Sequence, residues 1–323
     1  MTEGLSRRGG VPTLTATGAI TLPSVIVDAG PMASARFLEF FAGQIANAQT
    51  RGAYARAAGQ FLAWCDERRL RLRDIGPLHV ATYIRSHSGA APTVKQHLAA
   101  IRVLCDWLVV SQILPINPAA SVRGPKHVVT KGSTPVLTAA ETRALLDAID
   151  TRTVVGLRDR ALIGVMVYSF ARVSAVLGMR RQDYFPQGKR WWLRLHEKGG
   201  KRHDVPAHHL AEAYLDAYLD RVALPDPKRP LFQSVDRDRR LTGQGLARRE
   251  ALAMVKRRAA AACLPPSICC HTFRATGITA YLSNGGTLEH AQQIAAHASP
   301  KTTKLYDRRA DTISLDEIER ILI

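Results

Sequence analysis

Two stretches of helical apolar periodicity, separated by a proline-rich basic segment, set the architecture of this 323-residue chain. Residues 115–136 hold Pro115, Pro118, Pro125 and Pro135, two glycines and several basic side chains. Proline lacks the amide donor and fixes φ, so a regular element does not run through such a stretch; it reads as an interdomain linker. The length suits two domains, each able to bury a core of its own.

Before the linker, apolar residues recur at helical spacing. Ala33–Asn47 carries Phe37, Phe40 and Ile45, and Arg51–Arg68 carries Tyr54, Phe61, Leu62 and Cys65. Pro77–His87 is shorter, and Thr93–Ser111 places Leu98, Ile101, Leu104, Cys105 and Leu108 on one side. Side chains three and four apart share a helix face, so each segment predicts an amphipathic helix. No strand pattern interrupts them, and residues 31–114 read as a compact all-helical domain. Residues 1–30 are rich in Gly, Pro and Thr and read as a flexible arm.

After the linker, Thr138 and Glu141 have the spacing of a capping box, which starts a helix. A long apolar helix covers about 157–170. Trp191–Leu195 and Arg202–Val205 predict short strands around a Lys-Gly-Gly-Lys turn. Helices return at 208–222, 245–262, 271–283 and 287–296. Residues 137–313 therefore form a second, mostly helical domain with a small sheet, and the fold class is mainly α with a small β-sheet (α+β). Ser314 and Glu317 repeat the capping spacing ahead of Leu315, Ile318, Ile321 and Leu322, which predicts a tail helix over 314–323.

The charge narrows the partners. The net charge is +18, with 15 basic against 7 acidic side chains in residues 1–136 and 30 against 20 thereafter. Both halves are basic, so no single tail explains the excess, and a molecule-wide positive field suits a polyanion such as nucleic acid. The longest apolar candidate, Leu162–Phe170, is far short of the ~20 residues of a membrane span, and no secretory signal is visible. Five irregularly spaced cysteines do not make a disulfide framework, which points to a reducing cytoplasm. Cys269, Cys270 and His271 have no second ligand pair at zinc spacing. No Walker loop is present, and neither a metal nor a cofactor is expected.

Four motifs carry chemistry suited to a phosphodiester. Breaking that bond without metal needs a nucleophile, cations or donors on the non-bridging oxygens, and an acid for the departing sugar oxygen. His271-Thr272-Phe273-Arg274 sets a histidine and an arginine three apart on one helix face. His297 follows an apolar helix, and a Ser-Pro turn and short basic helix then present Tyr306. Arg172 ends the apolar segment 157–170, where a partly buried guanidinium wants an anion. His196-Glu197-Lys198-Gly199-Gly200-Lys201-Arg202 is a basic β-turn.

Together and in this order, the four resemble the tyrosine recombinase or phage integrase family. Arg158-Asp159-Arg160-Ala161-Leu162 resembles the family's R-D-x-A-L entry to the helix before the first catalytic arginine. The resemblance covers nearly all of the chain after residue 30. It implies an N-terminal helical core-binding domain, a linker and a C-terminal catalytic domain. It implies that Arg172 and Arg274 clamp the scissile phosphate and that Lys198 is the general acid for the 5′ hydroxyl. His271 would assist proton transfer from the nucleophile, His297 would bond a phosphate oxygen, and Tyr306 would attack phosphorus. The family often has an acid three residues after the first arginine; here that residue is Ala175.

The activity implied is site-specific DNA cleavage and rejoining with strand exchange, through a 3′-phosphotyrosine intermediate, as in mobile-element integration. The implied partners are double-stranded DNA, a homo-tetramer joined through the tail helix, and an accessory DNA-bending or directionality factor. Two other activities fit parts of the pattern. A relaxing type IB topoisomerase shares the tyrosine chemistry, and an architectural DNA-binding protein with a weakened site would fit Ala175.

Overall fold

The computed structural model describes residues 22–127, 132–307 and Glu319. The chain divides into two compact units, 1–128 and 129–323.

Unit one is all-helical among its described residues: α1 (Ser24–Val27), α2 (Pro31–Glu39), α3 (Ala48–Glu67), α4 (Pro77–Ser86) and α5 (Ala91–Val110). Proline opens α2 and α4 at the first turn, where its missing amide costs nothing, and the Asn47 side chain caps α3 by accepting from the amides of Gln49 and Thr50. The apolar faces meet in one core around Phe37, Phe40, Phe61, Leu62, Leu98, Ile101, Leu104 and Leu108. Tyr83 sits among them with its hydroxyl 2.9 Å from His97 Nδ1.

Two parts of this unit differ from the sequence reading. Residues 22–30 are no loose arm: Val25 and Ile26 in α1 are buried in the core, and four residues are too few to show a period. Residues 1–21 lie outside the described part. The linker expected at 115–136 is also shorter at its start, because Ala119 and Val122 are buried and Arg102 Nε donates to the Ala119 carbonyl at 3.1 Å.

Unit two holds α6 (Ala139–Asp147), α7 (Val154–Tyr168), α8 (Val173–Leu177), β1 (Tyr184–Gln187), β2 (Arg190–His196), β3 (Arg202–Pro206), α9 (His209–Val222), β4 (Gln233–Val235), β5 (Leu241–Gly245), α10 (Arg248–Ala261), α11 (Cys270–Ser283), α12 (Leu288–Ile294) and α13 (Pro300–Lys304). The chain is mainly helical with small sheets, as the patterning indicates. The Thr138–Glu141 box forms: the Glu141 amide donates to Thr138 Oγ1 at 3.1 Å, and the Thr138 amide donates to Glu141 Oε2 at 2.7 Å. Helix α7 is buried nearly all round and packs against α9 and α11.

Strands β1, β2 and β3 form an antiparallel sheet, and β4 pairs β5 in a two-stranded ribbon. Strand β2 turns Leu193 and Leu195 into the core, and Leu193 faces Val205 across the β2–β3 pair. Strand β1 and the β4–β5 ribbon escape the sequence reading. Tyr184–Gln187 contains a proline, while β5 reads Leu-Thr-Gly-Gln-Gly, so neither shows alternating apolar residues. The helix expected from 245 accordingly begins at Arg248, after β5 ends.

Buried charge ties α7 to α10. Asp159, fully buried, accepts from Arg158 at 2.7 Å and from Arg258 at 2.7 Å. Arg158 also donates to the Gln233 carbonyl at 2.7 Å, which reaches the β4–β5 ribbon. The tail helix expected at 314–323 lies outside the described residues, apart from Glu319.

Candidate active site

The site is assembled around the end of α7. Helix α7 stops at Tyr168, and Phe170 adopts φ 54°, in the left-handed region. That turn aims the Phe170 carbonyl at α11 and brings Arg172 to the N-cap of α8. Helix α11 approaches closely because Gly277 has no Cβ; one added there would sit 2.1 Å from the Val167 carbonyl oxygen.

Arg274, on α11, is fully buried. It donates through Nη1 to the Phe170 carbonyl and through Nη2 to the Ala295 carbonyl at 2.7 Å. Its Nε has no partner among the described residues. The Tyr306 hydroxyl and the Glu197 charge also act on it, but no carboxylate is ion-paired with it among the described residues, and a buried guanidinium held mainly by carbonyl dipoles is a cation in want of an anion. Burial, and then the nearby Arg172, push the Arg274 pKa down to about 10; it stays charged at neutral pH.

Arg172 donates through Nη1 to Glu197, in the turn between β2 and β3. The carboxylate is buried, while the arginine side chain remains one-third exposed. Backbone bonds shape that turn: the Glu197 amide donates to the Lys201 carbonyl at 2.8 Å, and the Gly200 amide to the Glu197 carbonyl at 3.1 Å. Gly199 and Gly200 take φ of 81° and 77°, which a side chain would oppose. Lys198 opens the turn directly after Glu197.

Tyr306 closes the site from the far end of the unit. Its hydroxyl lies 2.7 Å from His271 Nε2. Its ring stacks on His297, with centroids 5.8 Å apart and planes 11° from parallel. Helix α11 also holds the tyrosine backbone, because Thr279 Oγ1 donates to the Tyr306 carbonyl at 2.9 Å. His297 Nδ1 lies 2.8 Å from Thr303 Oγ1.

The electrostatics are those of a positive pocket. Desolvation, followed by the Arg274 and Arg172 charges, holds the His271 pKa below its ordinary value, although this residue keeps an open side toward solvent. The same causes, with burial again first, push His297 down to about 3. Both imidazoles are therefore neutral at pH 7. Among the described residues no group of three or more His, Cys, Asp or Glu side chains could hold a metal ion.

The structure thus gathers Arg172, His271, Arg274, His297 and Tyr306, with the backbone of Lys198 one residue from the Arg172 partner. Sequence reasoning missed Glu197 and Thr303. Glu197 stood in plain view as the one acid of the run 196–202, but nothing local said which cation it meets. Thr303 carried no signal at all, since its role exists only once His297 folds over α13.

Residues 135–312 match the model of the phage integrase family. The chain is 32% identical over 217 residues to tyrosine recombinase XerC of Chlamydia muridarum, a stretch that spans 66% of each chain. Its fold is similar to that of the XerH site-specific recombinase bound to difH substrate in a pre-cleavage complex, with a TM-score of 0.62 at 20% identity, covering 84% of this chain and 78% of that one. It is similar also to a lambda integrase tetramer bound to a Holliday junction, with a TM-score of 0.63 at 17% identity, over 87% and 79% of the two chains. With a family match across more than half its length, the chain belongs to the phage integrase family.

Proposed function

We propose that this chain, a site-specific tyrosine recombinase, cleaves and rejoins double-stranded DNA with Tyr306 as its nucleophile. The observation that carries this reading is the 2.7 Å contact of the Tyr306 hydroxyl with His271 Nε2 beside two guanidiniums. The Tyr306 oxygen attacks the scissile phosphorus, and its proton passes to the neutral His271 ring. Arg172 and Arg274 neutralise the non-bridging oxygens as negative charge builds in the transition state. His297, kept neutral, donates a hydrogen bond to one of those oxygens when Thr303 takes its Nδ1 lone pair. Lys198 gives a proton to the departing 5′ oxygen. The products are a 3′-phosphotyrosine bond and a free 5′ hydroxyl. A 5′ hydroxyl from a second duplex reverses the step and completes strand exchange, with no outside energy source.

The net charge of +18 supports DNA as the substrate, and phosphate contacts make binding fall steeply with salt. The lambda integrase tetramer on a Holliday junction supports a homo-tetramer on DNA, with residues 314–323 as the segment exchanged between copies. An accessory DNA-bending or directionality factor fits such an assembly. Unpaired cysteines and a DNA substrate fit a cytoplasmic setting. Among the described residues no helix is long and apolar enough to cross a membrane.

The test is capture. The protein is incubated with fragmented DNA, denatured, and the covalently retained DNA is sequenced. Nicked duplexes built on the recovered site then give an adduct that survives detergent. Tyr306→Phe is expected to form none while still binding the duplex. An adduct that persists in Tyr306→Phe, or no adduct from the unaltered chain, overturns the reading.

A further inference from the structure

We propose that Glu197 is a positioning residue for cleavage: its buried carboxylate holds the Arg172 guanidinium, and with it the Lys198 turn, ready for the scissile phosphate. This rests on the reading of Arg172 as a phosphate ligand.

The geometry supports holding and argues against blocking. Arg172 uses one donor, at Nη1, on Glu197. A guanidinium has five N–H donors in a rigid fork, so four remain for a phosphate. The arginine is one-third exposed while the carboxylate is 4% exposed, so Glu197 grips from the protein side and leaves the solvent side of the fork open. Arg172 is the residue that Glu197 ion-pairs with among the described side chains, and the Glu197 charge is felt at Arg274 as well. An arginine without that anchor would sample several rotamers, and a group must be held in place beforehand to help a transition state.

The second part follows from the chain itself. Glu197 and Lys198 are adjacent, and the backbone bonds of Glu197 to Lys201 and Gly200 define the turn. A single ion pair therefore links α8, which carries Arg172, to the turn that carries Lys198. Position 175, three residues beyond Arg172, is a buried alanine and offers no carboxylate from α8 itself. The anion beside Arg172 comes from the hairpin instead.

The experiment compares the full chain with Glu197→Gln and Glu197→Ala on the nicked site recovered by capture. Each is assayed with an ordinary scissile phosphate and with a neutral methylphosphonate in its place. Gln keeps the size of the side chain and removes its charge, so it answers if Ala fails to fold. We expect Glu197→Gln to slow adduct formation on the phosphate by about ten-fold or more, in the range seen when one preorganised donor is disturbed. Duplex affinity should hold. On the methylphosphonate, which carries one negative charge fewer at phosphorus throughout the reaction, the variant should lie much closer to the unaltered chain. A variant as fast as or faster than the unaltered chain on the phosphate overturns the proposal, and so does an equal slowing on both substrates. Absence of adduct from the unaltered chain would instead reject the underlying reading, and this inference with it.

Discussion

The Tyr306 hydroxyl and His271 Nε2 stand 2.7 Å apart, although 35 residues separate them in the chain. Helix α11 brings the imidazole, and the turn after α13 brings the phenol. With His271 neutral, its ring nitrogen can take the phenolic proton. Desolvation and the two arginines keep the His271 pKa below its ordinary value, so the neutral form persists into mild acid. Adduct formation at limiting concentration, which reports groups of the free protein, should therefore hold from neutral pH to below about 6.5 and then fall. His271→Gln should lower the rate by roughly 10²-fold or more. A rate that already halves above pH 7 would contradict the arrangement.

His297 predicts an acid-sensitive fold. Its pKa is about 3 in the folded chain, below the ordinary histidine value. The unfolded chain takes up a proton near pH 6.5 that the folded chain refuses. The associated stability is thus complete above about pH 6.5 and is lost as pH falls toward the folded value. Urea unfolding should show a loss of about 1–2 kcal/mol between pH 6.5 and 5 from this group. His297→Gln, weaker overall through the lost Thr303 contact, should show a shallower decline over that window.

Asp159 should be among the most costly positions to change. It is fully buried, and Arg158 and Arg258 both donate to it. Replacing it with alanine leaves the almost fully buried Arg158 without its anion. The expected loss is about 3–5 kcal/mol, seen as a lower urea midpoint. Arg152→Ala, which breaks an ion pair with Asp150 out in solvent, should leave the urea midpoint almost unchanged.

Gly277→Ala tests the contact that seats Arg274. The added Cβ would lie 2.1 Å from the Val167 carbonyl and 2.8 Å from the Phe170 ring. Backbone cannot yield as a flexible side chain does, so α11 must move away from α7. We expect a loss of about 3 kcal/mol, at the upper end for overpacking. Arg274 would also leave the Phe170 carbonyl. Adduct formation should fall further than the thermal midpoint alone explains, as a comparison at a temperature where the variant is folded will show.

Much of this protein is legible in one dimension. The periods of α3 and α5, the apolar run of α7, the Thr138–Glu141 box and the two glycines after Lys198 act over a few residues, and local sterics and hydrogen bonding decide them. The residues of the site also stand out, because arginine, histidine and tyrosine in that order match a family pattern. That Arg172, at the end of an apolar segment, would want an anion follows from desolvation alone.

Which anion meets Arg172 is a different matter. Ala175 sits at the place where the family pattern suggests an acid, yet the carboxylate arrives from Glu197, 25 residues onward. The pairing depends on how the β2–β3 turn folds back against α8, and no local rule encodes it. The same holds for Thr303 beneath His297, for Val25 and Ile26 entering the first core, and for the polar β4–β5 ribbon that Arg158 helps to hold. Short segments carry too few side chains to show a period, and a contact across tens of residues leaves no spacing to read. Sequence alone determined the helices and the chemical groups; tertiary packing decided which charge, hydroxyl and carbonyl each group would face.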